Sequence, residues 1–358
     1  MQFVLKTDYA QDVALLRRPG QHFWYGVLAI AMATLPLWGS AYWLSQVTLV
    51  LIYAIAGLGL MLLAGYTGLV SIGHAAFLGV GAYAEAYLVA HGWPFPFALV
   101  AAAALSALAG VVVGLPALRV KGIYLAIATL AFGFIAEEVI ARWEHVTGGN
   151  GGLQVKPPAI GDWQLRSSES IYYLSLVVCV LVTLGILNLL RNATGRAFIA
   201  MRDSEVSAQS MGIQLARYKT LAFSLSAAIV GLAGALYAHK LRFLSPEQFG
   251  ISQSIDLLLL VVVGGLGSIH GAFLGAIFLI TMPQLIALAK DWLPAAIAQA
   301  TGLQAVIFGM VLMGFVLFEP LGLYGRWVKI RTYLELFPAY RKGMFRRQKA
   351  FQKSERVK

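Results

Sequence analysis

Apolar runs of about twenty residues, each long enough to cross roughly 30 Å of hydrocarbon as a helix, follow one another through almost all of this 358-residue chain. No other feature restricts the fold so strongly. Backbone inside hydrocarbon must satisfy its N–H and C=O groups internally, so successive runs of this kind make a bundle of helices. The composition agrees. Hydrophobic residues make up 59% and charged residues 12%, about half the charge that a soluble domain carries, and the mean hydropathy is +0.76. The expected fold class is all-α, a polytopic helical membrane protein. A large soluble core is excluded.

The formal net charge of +11 takes its meaning from where it sits. Eleven of the 27 Lys and Arg residues lie in 326–358, five in 191–219, three before Pro19, and two (Arg119 and Lys121) in one short connection. Such clustering marks cytoplasmic segments, and the basic tail suits anionic lipid head groups rather than nucleic acid. The single cysteine, Cys179, excludes a disulfide framework and a cysteine-based metal site. The first apolar run is too long for a signal-peptide core and lacks a clear cleavage site, so it reads as an uncleaved span.

Spans are expected at 22–42, 44–64, 71–90, 97–117, 122–142, 171–190, 219–239, 254–282 and 303–319. This divides the chain into a cytoplasmic segment 1–21, a transmembrane domain 22–320 with a cytoplasmic loop 191–218, and a basic cytoplasmic tail 321–358. Nine single crossings would leave that tail on the wrong side. The run 254–282 restores parity. Its first piece, 255–263, would rise about 13.5 Å, half a bilayer, before "GGLGSIHG" and a second piece at 272–282. The expectation is therefore about eight full spans plus a broken-helix hairpin, with both termini cytoplasmic and 143–170 outside.

That break has a twin. "GYTGLVSIGHAAFLGVGAY" (65–83) returns as "GGLGSIHGAFLGA" (264–276). Parity gives the copies one direction, a parallel internal repeat such as transporters arrange around a central path. The turn 65–72 carries no Lys or Arg and also reads as irregular backbone sheltered by protein. Gly73 and Gly79 in the first copy, and Gly265, Gly267, Gly271 and Gly275 in the second, allow close backbone approach. Ser71, His74, Ser268 and His270 offer hydrogen-bonding groups where a polar solute would pass, and Phe77 lies beside them. Helix packing by the glycines and capping by the serines is the other reading of the same residues. Glu85 is ionisable inside a span; near the span's end it reads first as a side chain snorkelling to the interface, with a functional role as the alternative.

The long polar insertion "RNATGRAFIAMRDSEVSAQSMGIQLARYK" (191–219) predicts a helix over 197–211, with an apolar stripe through Ile199, Val206 and Met211 and a stop at Gly212. It could rest on the membrane surface or fill a groove in a cytoplasmic partner. The residues alone leave both open.

Five stretches now support a resemblance: "GYTGLVSIGHAAFLGVGAYAEAYL" (65–88), "TGGNGGL" (147–153), "GRAFIAMRDSEVSAQSMGIQLARYKTLAFSLSAAIVGLAGALYA" (195–238), "GGLGSIHGAFLGA" (264–276) and "FEPLGLYGRW" (318–327). In this order, across nearly the whole length, the chain resembles the LivM-type permease subunit of branched-chain amino acid ABC importers. The resemblance implies a heterodimer with a LivH-type permease, two cytoplasmic ATPase subunits, an extracytoplasmic solute-binding protein, and residence in the bacterial cytoplasmic (inner) membrane. It implies that 195–219 is the coupling segment, with Arg196, Arg202, Asp203, Glu205, Ala208 and Gly212 coupling to the ATPase. Glu205, Ala208 and Gly212 stand for the family's Glu-Ala-Ala…Gly signature, while Ser207 and Ser210 replace the commoner alanine. Glu85 departs from the small residue usual at its position.

No G-x-x-x-x-G-K-[ST] string occurs, so the chain cannot itself cradle nucleotide phosphates. No cofactor is expected on it, and ATP and magnesium would sit on the partner ATPases. The resemblance implies a non-enzymatic subunit working by alternating access, with leucine, isoleucine and valine as substrates and urea, short amides or aromatic carboxylates, which related permeases serve, as alternatives. An autonomous secondary transporter or channel would need a charge relay. Glu137, Glu138, Arg142, Glu144 and Asp256 are the few candidates, and they read as helix-end groups. A membrane-embedded enzyme would need a carboxylate pair or a Ser/His pair at workable spacing, and only the two repeat copies come near.

Overall fold

The computed structural model describes residues 19–117, 120, 122–160, 163–164, 167–290, 302–319 and 321–336. Lys6, Arg17, Arg18, Arg119, Lys121 and the tail beyond 336 lie outside the described residues. Thirteen helices carry the argument: α1 (Pro19–Trp38), α2 (Ala41–Leu60, continuing as a π-helical turn Met61–Tyr66), α3 (His74–Ala90), α4 (Phe95–Ala117), α5 (Ile123–Arg142), α6 (Ser168–Arg191), α7 (Ala193–Asp203), α8 (Glu205–Ser210), α9 (Leu215–Leu241), α10 (Ile251–Gly264), α11 (Ile269–Lys290), α12 (Leu303–Phe318) and α13 (Gly322–Leu336). Among the described residues, seven helical stretches are long and apolar enough to cross a membrane, and two shorter apolar helices accompany them.

Burial separates centre from rim. The most apolar window of α2 is 78% buried and that of α9 61%, against 22% for α5 and 28% for α6. α2 and α9 are therefore the core pair, and α9 packs along α4, α3 and α2. Glycines make this possible. A Cβ added to Gly234 would lie 2.0 Å from the Leu78 carbonyl oxygen, and one on Gly81 would lie 2.2 Å from that of Gly231. Side chains are thus excluded at the α3–α9 crossing, as in small-residue packing between membrane helices. On the rim, Phe97, Val112, Ile123, Phe134 and Leu181 point outward, a face that suits lipid.

Three expectations change in detail. The hairpin around 264–268 is present, but its arms are longer than half-spans. α10 has 14 residues and α11 has 22, rises of about 21 and 33 Å, because Ile251–Ser254 and the stretch beyond 282 join the helices despite their polar residues and Pro283. The expected helix 197–211 is two helices bent at Ser204, whose backbone is extended at φ −163°, ψ 114°. Its hydroxyl accepts from the Ser207 N–H at 3.2 Å, capping α8 as serine does at a helix start. Glu85 does not snorkel. It is fully buried, and Nε2 of His239 on α9 lies within hydrogen-bond distance of its Oε1, at 2.6 Å.

The "TGGNGGL" stretch closes the bundle end opposite the loop 191–219. Two-residue strands β1 (Leu153–Gln154) and β4 (Phe243–Leu244) pair antiparallel, and β2 (Ala159–Ile160) pairs with β3 (Trp163–Gln164). Gly152 leaves room for the Phe243 ring, which would stand 2.4 Å from an added Cβ. At the rim of this end, Arg142 pairs with Glu138 one helical turn before it.

Candidate translocation and coupling site

The two repeat copies meet. α2 ends in a π-helical turn, a wider coil that often marks functional segments, and this turn sets Gly65 against the second break. A Cβ on Gly65 would lie 2.6 Å from the Gly267 nitrogen, and the Gly267 N–H donates to Met61 Sδ at 3.2 Å. Both copies thus run helix, glycine break, helix, with the breaks at the same end of the bundle. Gly267 needs its freedom on a second count, because its φ of +79° is left-handed.

The copies then diverge around their histidines. His74, fully buried, has Nδ1 2.7 Å from Ser71 Oγ and Nε2 2.8 Å from Ser226 Oγ. The Ser226 hydroxyl donates to the Gly59 carbonyl at 2.7 Å, so its one proton is committed. It must accept from Nε2–H, and a neutral ring then accepts at Nδ1 from Ser71. This chain binds α3 to α9 and α2. In the second copy the histidine comes one position earlier after the serine, a rotation of about 100° around the helix. His270 accordingly faces outward. It stacks on Tyr324 with ring centroids 5.5 Å apart and planes 7° off parallel, and Nε2 lies 2.7 Å from Tyr25 Oη. Ser268 caps its own helix, accepting from the Gly271 N–H at 2.9 Å.

The remaining repeat residues fix close crossings. A Cβ on Gly73 would sit 1.9 Å from the Thr129 oxygen of α5, and one on Gly275 would sit 1.9 Å from that of Leu260. A Cβ on Gly271 would lie 2.5 Å from the Gly265 oxygen, and one on Gly79 would lie 3.0 Å from the Phe249 ring. Phe77 is buried, edge-on to His74 and beside Phe132. Helices must start inside this crowded region, and their orphan N–H groups find partners on neighbours. Ile72 N–H donates to Thr129 Oγ1 at 3.0 Å and Ala75 N–H to Ser254 Oγ at 3.1 Å. Residues 321–324 dock on the second break, with Gly322 so close that a Cβ would lie 2.6 Å from Gly265 Cα. Beside it the Glu319 carboxylate accepts from Arg326, a hydrogen bond that holds its pKa below the ordinary value.

Sequence reasoning missed a second polar group. Between α2, α3, α9 and α10 runs a crevice too narrow to admit water, lined by Tyr53, Tyr237 and Gln253 together with the apolar Leu78 and Leu257. Tyr53 donates to Gln253 Oε1 at 3.3 Å and packs edge-on against Tyr237. The available signal was a set of polar side chains inside apolar runs, which carries no hint of which ones face each other. The Glu85–His239 pair escaped notice for the same reason.

The loop 191–219 is anchored on the bundle. Ala197, Phe198 and Met201 of α7 are buried in the main core. Glu205 of α8 pairs with the buried Lys219 of α9 at 2.7 Å, so its carboxylate ties the loop to the bundle. Ala208 is buried. Gly212 ends α8 with φ +85° and open space around it. Its N–H donates to the Gln209 oxygen at 3.0 Å, and that of Ile213 to the Ala208 oxygen at 3.1 Å, the paired bonds of a Schellman stop. Arg196 donates to the Arg191 oxygen at 3.1 Å, and Asp203 lies on the surface beside Arg202. Of the expected stripe, Ile199 is half-buried, while Val206 and Met211 are 76% and 81% exposed. Among the described residues, no group of three His, Cys, Asp or Glu side chains is placed to hold a metal.

Broken helices meeting at one end of an apolar bundle, with a polar loop packed beside them, fit one class, the membrane subunit of a transporter. The chain belongs to the family of permease components of branched-chain amino acid transport systems, whose family model matches residues 42–317. It is 36% identical over 289 residues to the high-affinity branched-chain amino acid transport system permease protein LivM of Salmonella typhimurium, covering 74% of this chain and 68% of that protein. With LivM of Escherichia coli it shares 37% identity over 264 residues, covering 67% and 62%. The chain thus spans about two thirds of the length of these relatives. The autoinducer 2 import system permease protein LsrC of an Enterobacter species is 28% identical over 250 residues, 68% of either chain. No solved structure matches.

Proposed function

We propose that this permease is the non-ATPase membrane subunit of an ATP-driven importer of branched-chain amino acids. The observation that carries the reading is the pair of exposed apolar side chains Val206 and Met211 on a loop locked to the core by Glu205–Lys219. Apolar surface held rigidly on a polar loop is what a partner's groove takes up. On this reading the partner is a cytoplasmic ATPase dimer holding ATP and magnesium. Its closure pushes α7 and α8, and α9 moves with them because Lys219 stands in its second turn. The shut crevice at Tyr53, Tyr237 and Gln253 then opens to one side of the membrane at a time. A second permease of LivH type completes the path, and an extracytoplasmic binding protein delivers the solute. The membrane is the bacterial cytoplasmic one, with the loop end inside.

Leucine, isoleucine and valine are favoured because the LivM relatives are the more similar, at 36–37% identity against 28% for LsrC. The LsrC resemblance supports a second reading, the same architecture with another small polar solute. The test is co-expression with the candidate ATPase subunits and binding protein in liposomes. Wild-type chain should show ATP-dependent leucine uptake, and Val206→Asp with Met211→Asp should release the ATPase. Leucine movement down its gradient by the purified chain alone, unchanged in that double variant, would replace the importer reading with a channel.

A further inference from the structure

Arg202 closes α7, and its side chain faces the breaks rather than the exposed docking face of α8. Nη1 donates to the Gly65 carbonyl at 3.3 Å. That carbonyl belongs to the last turn of α2, where C=O groups lack helical partners and cations are favoured. The Arg202 Cγ lies 3.2 Å from where a Cβ of Gly68 would stand, and Nη1 lies 3.4 Å from that of Gly267. Nε and Nη2 both reach Asp203 Oδ1, at 3.2 and 3.1 Å, fixing the plane of the guanidinium. One side chain therefore pairs within the loop, bonds the first break and lies beside the second.

We propose that Arg202 is a positioning residue that carries displacement of the loop to both glycine breaks together. The inference rests on the docking role proposed for α8. A flat guanidinium can bind a carbonyl with one edge while the fork at its other edge stays on Asp203. The missing Cβ at Gly68 lets its stem lie against bare backbone, since a Cβ there would stand 3.2 Å from Cγ. Because Gly65 and Gly267 also press on each other, a shift of Arg202 cannot reach one copy of the repeat without reaching the other.

The test uses the full complex with its ATPase subunits and binding protein, in a Cys179→Ser background. Single cysteines replace Leu266, exposed at the second break, or Gln209, exposed on α8. Thiol labelling is compared with and without ATP. With Arg202 present, ATP should change the labelling rate at both positions. In Arg202→Met the ATPase should still co-purify and the change at Gln209→Cys should persist, but the change at Leu266→Cys should vanish. Uptake should fall about tenfold, the scale of one charged hydrogen bond. Arg202→Lys keeps a cation at the end of α2 without the fork and should fall between. An unaltered ATP response at Leu266→Cys in Arg202→Met would overturn the inference. So would loss of the ATPase from that variant, which would put Arg202 in the docking face. Failure of the docking reading itself shows separately, as normal assembly of the Val206→Asp, Met211→Asp chain.

Discussion

Replacing His239 by leucine should destabilise the bundle far more than losing one hydrogen bond would suggest. Glu85 and His239 are both fully buried and share one bond of 2.6 Å. Among the described residues, the second carboxyl oxygen of Glu85 and Nδ1 of His239 have no hydrogen-bond partner, so none replaces the lost contact. Two scales bracket the cost. Hydrogen bonds between membrane helices measured by double-mutant cycles reach at most about 1.7 kcal/mol, because the unfolded chain in the membrane finds other partners. Breaking a buried ionisable pair costs about 3–5 kcal/mol, because a polar group is stranded. The second applies, since Glu85 sits at a protein crossing where no water or head group can reach it. His239→Leu and Glu85→Leu should each lower stability by about 3 kcal/mol. The double variant, with nothing stranded, should recover most of that loss. Denaturation of the purified chain in mixed micelles, followed by tryptophan fluorescence, gives all four corners of the cycle. If His239→Leu lies within about 0.5 kcal/mol of wild type, the range of ordinary surface changes, the pair does not hold α3 to α9.

Gly234→Leu should fail to fold, since its Cβ would stand 2.0 Å from a carbonyl oxygen, whereas Gly185→Leu, with nothing within 4 Å, should behave as wild type in the same detergent chromatography. Gly212→Ala meets no atom either, but its φ of +85° should cost about 1–2 kcal/mol, visible as faster proteolysis of the loop; unchanged proteolysis would remove the conformational argument. Cysteines at Ser168 and Ser207, in a Cys179→Ser background, should be labelled from opposite sides of the membrane; labelling of both from one side would refute the topology. Gly267→Leu and Gly271→Leu should leave membrane insertion intact and depress uptake, and near-normal uptake in both would separate the second break from the transport path.

The chain of apolar runs determined by itself that this is a membrane helix bundle. The glycine repeats likewise announced the breaks at 65–73 and 264–268, and Gly212 announced the end of the loop helix. These features are local. Helix length follows from how far hydrocarbon composition continues, and a glycine break from what one residue's backbone and missing side chain allow. The arms of the hairpin were underestimated because polar residues at the edges of an apolar run stay helical when neighbouring helices satisfy them, as Ser254 does by capping α3. What only the tertiary structure decided is which side chains meet. His74 and His270 come from nearly the same string, yet one position of offset sends the first into a buried hydrogen-bond chain and the second outward onto Tyr324. Glu85 finds His239, and Arg202 finds Gly65, across 154 and 137 residues of sequence. Such pairings depend on the rotation of each helix about its axis and on its depth beside its neighbours. Backbone contacts at Gly81, Gly234 and Gly65 set both, and they come into being only when the helices pack.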